Sequence, residues 1–191
     1  NEQLIRCVLD DKLPVDKKLR KMDYIIKLGA DVNAECGLGF SVLSLAKMMQ
    51  NDVVISFLEE RGANDIGFDK EKAEEFFRTA SVDDINKVLK ILPDGYKLDC
   101  DVVFWGGRGL KELPDFSRVV VNGQFACQYN ELETLKGAPS VVGGDFNCYN
   151  NRLTTLRGAP REVGRSFVCN CNQLTSLEGA SSKVGGTFVC S

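Results

Sequence analysis

The second half of the chain repeats every 21 residues, and this repeat constrains the fold more than any other feature of the sequence. The same residue types recur in phase, and each unit closes on Gly-Ala followed by Pro or Ser. The columns are Phe125, Phe146, Phe167 and Phe188; Cys127, Cys148, Cys169 and Cys190; Asn130, Asn151 and Asn172; and Leu132, Leu153 and Leu174. A repeat of this length predicts a solenoid, because no single unit can bury its own apolar side.

Each unit is expected to contain one short strand, at the position of Phe146-Asn147-Cys148, where side chains alternate between the interior and the surface. Successive strands should stack in parallel, about 4.8 Å apart. The repeated asparagines Asn130, Asn151 and Asn172 are predicted to point inward as a ladder. There their amides can satisfy backbone groups at the bend of each coil.

Ahead of the regular repeat, the sequence predicts an atypical first unit that is one residue out of phase. Its members are Val103, Trp105, Leu110 and Leu113. Trp105 lies where the helical part of the chain gives way to the coil. We therefore interpret it as a plug at that junction rather than as a binding residue.

The repeated unit Val-Gly-x-x-Phe-x-Cys-x-x-Asn-x-Leu-x-x-Leu-x-Gly-Ala-Pro resembles a leucine-rich repeat. Phe and Cys replace two of the usual leucines, and the variety that it resembles is the short Gly-Ala-Pro type of bacterial and phage proteins. The resemblance implies one continuous binding face made by the outward strand residues. By register these are Gln124, Ala126 and Gln128; Asp145, Asn147 and Tyr149; and Ser166, Val168 and Asn170, with Tyr129 as a further aromatic anchor. Amides beside tyrosines suit protein recognition.

The first half carries a weaker repeat of 33 residues. Gly29-Ala30-Asp31 returns as Gly62-Ala63-Asn64, and residues 41–46 read Ser-Val-Leu-Ser-Leu-Ala. This segment resembles the Thr-Pro-Leu-His-x-Ala motif of ankyrin repeats, without its Pro and His. An unrelated helical bundle is the alternative. The ankyrin resemblance implies a stack of helix pairs that binds partners through its hairpin tips, here Asn33, Glu35, Leu38, Gly39 and Phe40.

The predicted fold class is therefore an α+β repeat protein in two domains. Residues 1–98 form divergent ankyrin-like helical repeats, and residues 99–191 form a leucine-rich-repeat-like solenoid with parallel strands. The sequence stops in mid-strand without a capping unit, so we expect a solenoid truncated at its C-terminal end, or one whose last strand is covered by a partner.

The composition argues against a standalone enzyme. The chain has no histidine, which removes the commonest general base, the usual serine and cysteine triads and most catalytic zinc sites. The periodic cysteines predict a buried column of free thiols in a reducing compartment, since zinc needs ligands that converge on one point. Cys171 stands outside that column, and we expect it to be partly exposed and mildly reactive.

The prediction for function is a non-catalytic module that binds a protein partner, with no cofactor and no metal. The net charge of -3 and the lack of a basic half disfavour nucleic acid, and no apolar run is long enough to cross a membrane. The expected location is the cytoplasm, including delivery into a host cell as an effector. The alternatives are the substrate-recognition part of a larger enzyme or secreted effector, and a structural protein that self-associates through its uncapped coil end.

Overall fold

The computed structural model describes residues 1–104 and 106–190, so the interpretation of Trp105 lies outside the described residues. In these ranges, helices precede strands along the chain. The helices are α1 (Glu2–Leu9), α2 (Val15–Lys27), α3 (Val42–Met48), α4 (Asp52–Glu59), α5 (Lys70–Thr79) and α6 (Val82–Leu89). The chain divides into two compact units, Asn1–Ala73 (unit 1) and Glu74–Ser191 (unit 2). This division falls within α5, ahead of the predicted boundary at 98/99, although the first strand does begin at Lys97.

Unit 1 is built from helix pairs. Helix α1 packs on α2 and α3 packs on α4, while α1 also contacts α3 and α2 contacts α4. Apolar side chains on the facing sides of these helices are buried, among them Leu4, Met22, Leu45 and Leu58. The pairs are therefore stacked side by side, with their first helices adjacent and their second helices adjacent.

A buried lysine holds the end of the first helix in unit 1. Lys18 is 2% exposed, and its ammonium donates a hydrogen bond of 3.0 Å to the carbonyl of Val8. The last carbonyls of a helix have no partner within the helix, and a cation is favoured there by the helix dipole. Lys18 of α2 therefore satisfies the C-terminal turn of α1.

The buried hydroxyl of Ser41 makes several hydrogen bonds to the backbone of unit 1. Its hydroxyl caps α3 by accepting from the Ser44 N–H at 3.3 Å, and it also accepts from the Ile66 N–H at 3.1 Å. The same hydroxyl donates to the Asn64 carbonyl at 2.7 Å. Because Ser41 is 0% exposed, water cannot replace these bonds. One serine thus joins the start of α3 to the loop that follows α4.

We expect Ser41→Ala to lower the free energy of unfolding by about 1–2 kcal/mol, because it removes a helix cap and leaves buried backbone groups unpaired. Urea denaturation followed by circular dichroism measures the loss. The matched control is Ser81→Ala, since Ser81 caps α6 through the Asp84 N–H at 3.1 Å but is exposed to solvent. If both changes cost the same, the loop contacts of Ser41 contribute nothing beyond capping.

Unit 2 is a coil of parallel strands. The strands are β1 (Lys97–Leu98), β2 (Val102–Val103), β3 (Val120–Val121), β4 (Phe125–Ala126), β5 (Val141–Val142), β6 (Phe146–Asn147), β7 (Glu162–Val163), β8 (Phe167–Val168), β9 (Lys183–Val184) and β10 (Phe188–Val189). They form two five-stranded sheets, ordered β1-β3-β5-β7-β9 and β2-β4-β6-β8-β10. The predicted parallel-strand solenoid is confirmed, and each coil contains two strands rather than the single strand that was expected.

In-register pairing places equivalent residues of successive coils side by side. Phe125 pairs with Phe146, and Phe146 pairs with Phe167. Their rings lie inside the coil and are fully buried, with centroid separations of 5.7 and 5.0 Å. The 21-residue period of the sequence is therefore the length of one coil.

The phase predicted for the first coil is wrong. Val102, not Val103, pairs with Phe125, which is an offset of two residues from the regular period rather than one. Val102 and Phe104 consequently point inward and are fully buried, whereas Val103 is only half-buried. The reason is the longer connection after β2, which includes Gly106, Gly107 and Gly109.

Helices α5 and α6 close the first end of the coil. The Phe77 ring of α5 lies 5.4 Å from the ring of Phe116, which in turn lies 5.3 Å from the ring of Phe125. Arg108 holds the end of α5 by donating to the carbonyls of Phe77 and Ala80. The aromatic interior of the coil is thus continuous with the helices that precede it.

Candidate functional site

The outward side chains of the second sheet form the strand face, in three rows that run across the coils. The rows are Asp101, Gln124, Asp145, Ser166 and Thr187; Val103, Ala126, Asn147, Val168 and Val189; and Gln128, Tyr149 and Asn170. Hydrogen bonds between neighbouring coils fix the first row. Asp101 accepts from the backbone and side-chain amides of Gln124 at 2.9 and 3.0 Å, and Asp145 accepts from the Ser166 N–H at 2.9 Å.

The strand face is not uniformly open. Ala126, which was predicted to lie on the binding face, is 4% exposed, because α5 passes close to the first coils. The corresponding residues of the next coils, Asn147 and Val168, remain half-buried. Within the row that contains Ala126, the more open part of the strand face beyond the cleft therefore begins at Asn147.

Two tyrosines, the exposed Tyr129 and the half-buried Tyr149, form an aromatic pair at the strand face. The ring centroids of Tyr129 and Tyr149 are 4.7 Å apart in an edge-to-face arrangement, and Tyr129 is 51% exposed. A hydrogen bond to Tyr129 is the main reason that the pKa of Tyr149 is raised above its ordinary value. Aromatic side chains that are held in place yet exposed are common binding anchors.

The backbone under this pair is left-handed. Tyr129, Asn150 and Cys171 occupy the same corner of successive coils, with φ values of 56°, 54° and 54°. Asparagine tolerates this conformation well, whereas a bulky residue such as tyrosine is strained in it. Cys171 is exposed, as predicted. Tyr129 and Cys171 thus occupy a left-handed backbone conformation that their residue types do not favour.

A polar cleft lies where α5 meets the strand face. It has a volume of about 340 Å³ and is lined by Glu74, Arg78, Asp101, Val103, Gln124, Ala126 and Gln128. Glu74 accepts from the Asp101 N–H at 3.1 Å, which ties the helix to the first coil. Arg78 is held by Glu75 at 2.9 Å. The α5 wall of the cleft therefore carries both Glu74 and Arg78, and the opposite wall carries Asp101.

Unpartnered polar atoms concentrate around this surface. In residues 1–104 and 106–190, the buried side-chain atoms without a hydrogen-bond partner are Arg78 Nε, Gln128 Oε1 and Asn170 Oδ1. Arg78 and Gln128 both line the cleft, and Asn170 follows Gln128 and Tyr149 in the same row of the strand face. Buried polar groups in proteins are almost always paired, so this concentration marks the surface as one that a further molecule can complete.

The repeated asparagines lie inside the coil and bind its backbone. Asn151 accepts from the Leu132 N–H at 3.0 Å and donates to the carbonyls of Cys127 and Cys148 at 3.0 and 3.1 Å. Asn172 makes the equivalent bonds one coil later, with Leu153, Cys148 and Cys169. Asn130 accepts from Leu110 at 3.2 Å. These residues join coils and do not belong to the outer surface.

The cysteine column lies inside the coil as well. Burial raises the pKa of the Cys127 thiol to about 12 and holds that of Cys148 well above its ordinary value. Thiolates, which bind metals and attack electrophiles, are therefore strongly disfavoured there. No cluster of three or more Cys, Asp or Glu side chains able to hold a metal ion occurs in the described part of the chain.

Part of the hairpin tip that was predicted for binding in unit 1 is buried, whereas Asn33 and Glu35 are half-buried. Phe40 is 2% exposed and Leu38 is 0% exposed, so neither is accessible to a partner. Both side chains pack into unit 1, where the Phe40 ring lies 6.0 Å from the ring of Phe68. Phe40 is thus buried rather than displayed at the tip, because apolar side chains there are drawn into the core. Asn33 accepts from the Asn64 N–H at 2.7 Å, and Glu35 pairs with Lys72.

No protein-family model, curated protein or solved structure matches the chain. The helices of the described residues are all too short or too polar to span a lipid bilayer.

Sequence reasoning missed the helical side of the site. Glu74 and Arg78 belong to α5, 23 residues or more before any strand-face residue, and no repeat relates them to the coil. The spacing of Glu74 and Arg78 by four residues does place both on one side of a helix, but it does not identify the surface that they contact.

Proposed function

We propose that unit 2 is a non-catalytic interaction module that docks a protein partner on its strand face. The observation that carries this proposal is the concentration of unpartnered polar atoms, Gln128 Oε1 and Asn170 Oδ1, on the face that also presents the Tyr129–Tyr149 pair. A partner that supplies hydrogen-bond donors to the amides and apolar surface to the tyrosines would complete this surface. Interfaces commonly combine aromatic anchors with such polar contacts.

The rigidity of the coil supports the same function. The backbone carbonyls of the strand-face residues accept hydrogen bonds from the preceding coil, as Asp145 does from Phe125 and Asn147 does from Cys127, so the face is organised before the partner arrives. A preformed surface loses little conformational entropy on binding. The strand face is uncrowded beyond β4, and it runs across several coils without a break in register.

We expect the double change Asn147→Lys and Tyr149→Lys to reduce partner capture at least tenfold, since each lysine places a charge where the partner must exclude water. The measurement is affinity purification from cells that make the protein, with quantitative mass spectrometry of the captured proteins. Circular dichroism checks that the coil remains folded.

The matched control is Thr154→Lys, which adds a lysine at an exposed position of the coil away from the strand face. Its capture should equal that of the unchanged protein. If the double variant captured the same proteins in the same amounts as this control, the strand face would not be the docking surface.

A further inference from the structure

Two residues that line the cleft between α5 and the strand face each have a buried polar atom without a partner, a donor on Arg78 and an acceptor on Gln128. Arg78 Nε carries a hydrogen that no described residue accepts, and Gln128 Oε1 has lone pairs to which no described residue donates. Both residues line the cleft of about 340 Å³. Leaving such groups unpaired away from water is costly, so an occupant that pairs with both is strongly favoured.

The charges of the cleft restrict the chemistry of that occupant. The carboxylates of Glu74 and Asp101 line it together with the Arg78 guanidinium. A carboxylate could accept from Arg78 but could not donate to Gln128, and it would face like charges. An ammonium group could donate to Gln128 but could not accept from Arg78. An apolar group would leave both atoms unpaired.

A primary carboxamide meets both requirements with two separate atoms, whereas a hydroxyl would have to accept and donate through a single oxygen. The carbonyl oxygen of the carboxamide accepts hydrogen bonds and its NH₂ group donates them, with no net charge. Among protein side chains this group belongs to asparagine and glutamine. The cleft lies at the lower end of the size range for ligand pockets, which suits one side chain better than a large ligand.

We propose that this cleft receives the carboxamide of an asparagine or glutamine side chain from the protein partner, an inference that rests on the proposed function. The carboxamide oxygen accepts from Arg78 Nε, and its NH₂ group donates to Gln128 Oε1. Both protein atoms are shielded by their neighbours before binding, so the side chains of Arg78 and Gln128 turn toward the occupant as it enters. The Tyr129–Tyr149 pair contacts the rest of the partner.

The test uses small probes in place of the partner, so its result does not depend on identifying the partner. N-acetyl-glutamine methylamide is titrated into the ¹⁵N-labelled full chain, and the Arg78 Nε–H signal is followed by NMR. Two further probes differ only at the side chain: the glutamate analogue and the norleucine analogue. We expect a saturable shift of the Arg78 signal with the glutamine probe alone, with weak affinity because the probe is small.

Variants of the chain locate the site. Gln128→Met keeps the length of the side chain but removes the acceptor, and we expect it to weaken binding of the glutamine probe about tenfold. Gln173→Met, which changes an exposed glutamine outside the cleft, should leave binding unchanged. Thermal denaturation of each variant establishes that it is folded, and Gln128→Leu repeats the test if Gln128→Met is unstable.

Three outcomes would overturn the inference. The first is no shift with any probe, which means that the cleft holds trapped water only. The second is equal binding of the glutamate or norleucine probe, which excludes carboxamide selectivity. The third is unchanged binding by Gln128→Met. None of these results alters the partner-capture comparison, so the two proposals fail separately.

Discussion

Gly164→Ala should destabilise unit 2 by about 3 kcal/mol or more, the largest effect of any single methyl group in the coil. A Cβ at Gly164 would overlap the carbonyl oxygen of Gly143 in the preceding coil. The overlapped atom belongs to the backbone, so no side-chain rotation can relieve it. The coils would have to separate, which breaks the strand hydrogen bonds on which the sheet depends.

The same close approach recurs along the stack. A Cβ at Gly143 would overlap the Asn122 carbonyl oxygen, and a Cβ at Gly185 would overlap that of Gly164. The glycine column therefore sets how tightly successive coils can stack, which is the reason that only glycine fits there.

Urea denaturation and thermal melting measure the effect, with Gly67→Ala as the matched control. A Cβ at Gly67 would meet nothing within 4 Å, and the position has no left-handed backbone that alanine would strain. This control should be neutral or slightly stabilising, because alanine reduces the freedom of the unfolded chain. Equal stability of the two variants would show that the coils are less closely stacked than the structure indicates.

Asn151→Ala should lower the free energy of unfolding by about 1–3 kcal/mol, because it removes a hydrogen bond from each of three buried backbone groups. These are the Leu132 N–H and the carbonyls of Cys127 and Cys148. The Leu132 N–H is left without a partner, whereas the Cys127 and Cys148 carbonyls keep the bonds from Asn130 and Asn172. Asn151 is 7% exposed, so water cannot substitute freely for the amide. The loss should appear as a lower urea midpoint with an unchanged slope, since the unfolded state is not affected.

Asn172→Ala is the control that tests whether burial of the asparagine determines how much stability is lost. Asn172 makes the equivalent bonds with similar lengths but is half-buried, so water can reach the groups that it leaves. We expect a clearly smaller loss than for Asn151→Ala. If the two losses of unfolding free energy were equal, burial would not determine how much each asparagine of the ladder stabilises the coil.

Much of the coil could be predicted because each repeat packs only against the repeats next to it in sequence. Each unit carries its own inward Phe and Cys and its own corner Gly-Ala, and in-register stacking of identical units follows from these alone. The second strand of each coil was missed, although Val142 and Val163 recur in phase just before glycine. Two-residue strands are too short to produce an alternating pattern.

The candidate site was harder to predict because it depends on contacts between segments that no repeat relates. The sequence pattern identified the rows of Asn147, Tyr149 and Asn170, but it did not show that Ala126 is covered or that Phe40 is buried. In both cases the deciding neighbour is distant in sequence: α5 for Ala126 and Phe68 for Phe40.

The amino-acid sequence by itself determined the 21-residue coil, the parallel strands and the identity of the columns that fill the interior, because these arise from nearest-neighbour packing of equal units. Only the tertiary structure decided the two-residue offset of the first coil, the closure of that coil by α5 and α6, and the placement of Arg78 and Gln128 around one cleft. The physical reason is that helix and coil meet through long-range burial of Phe77 on Phe116, which the periodicity of neither segment encodes.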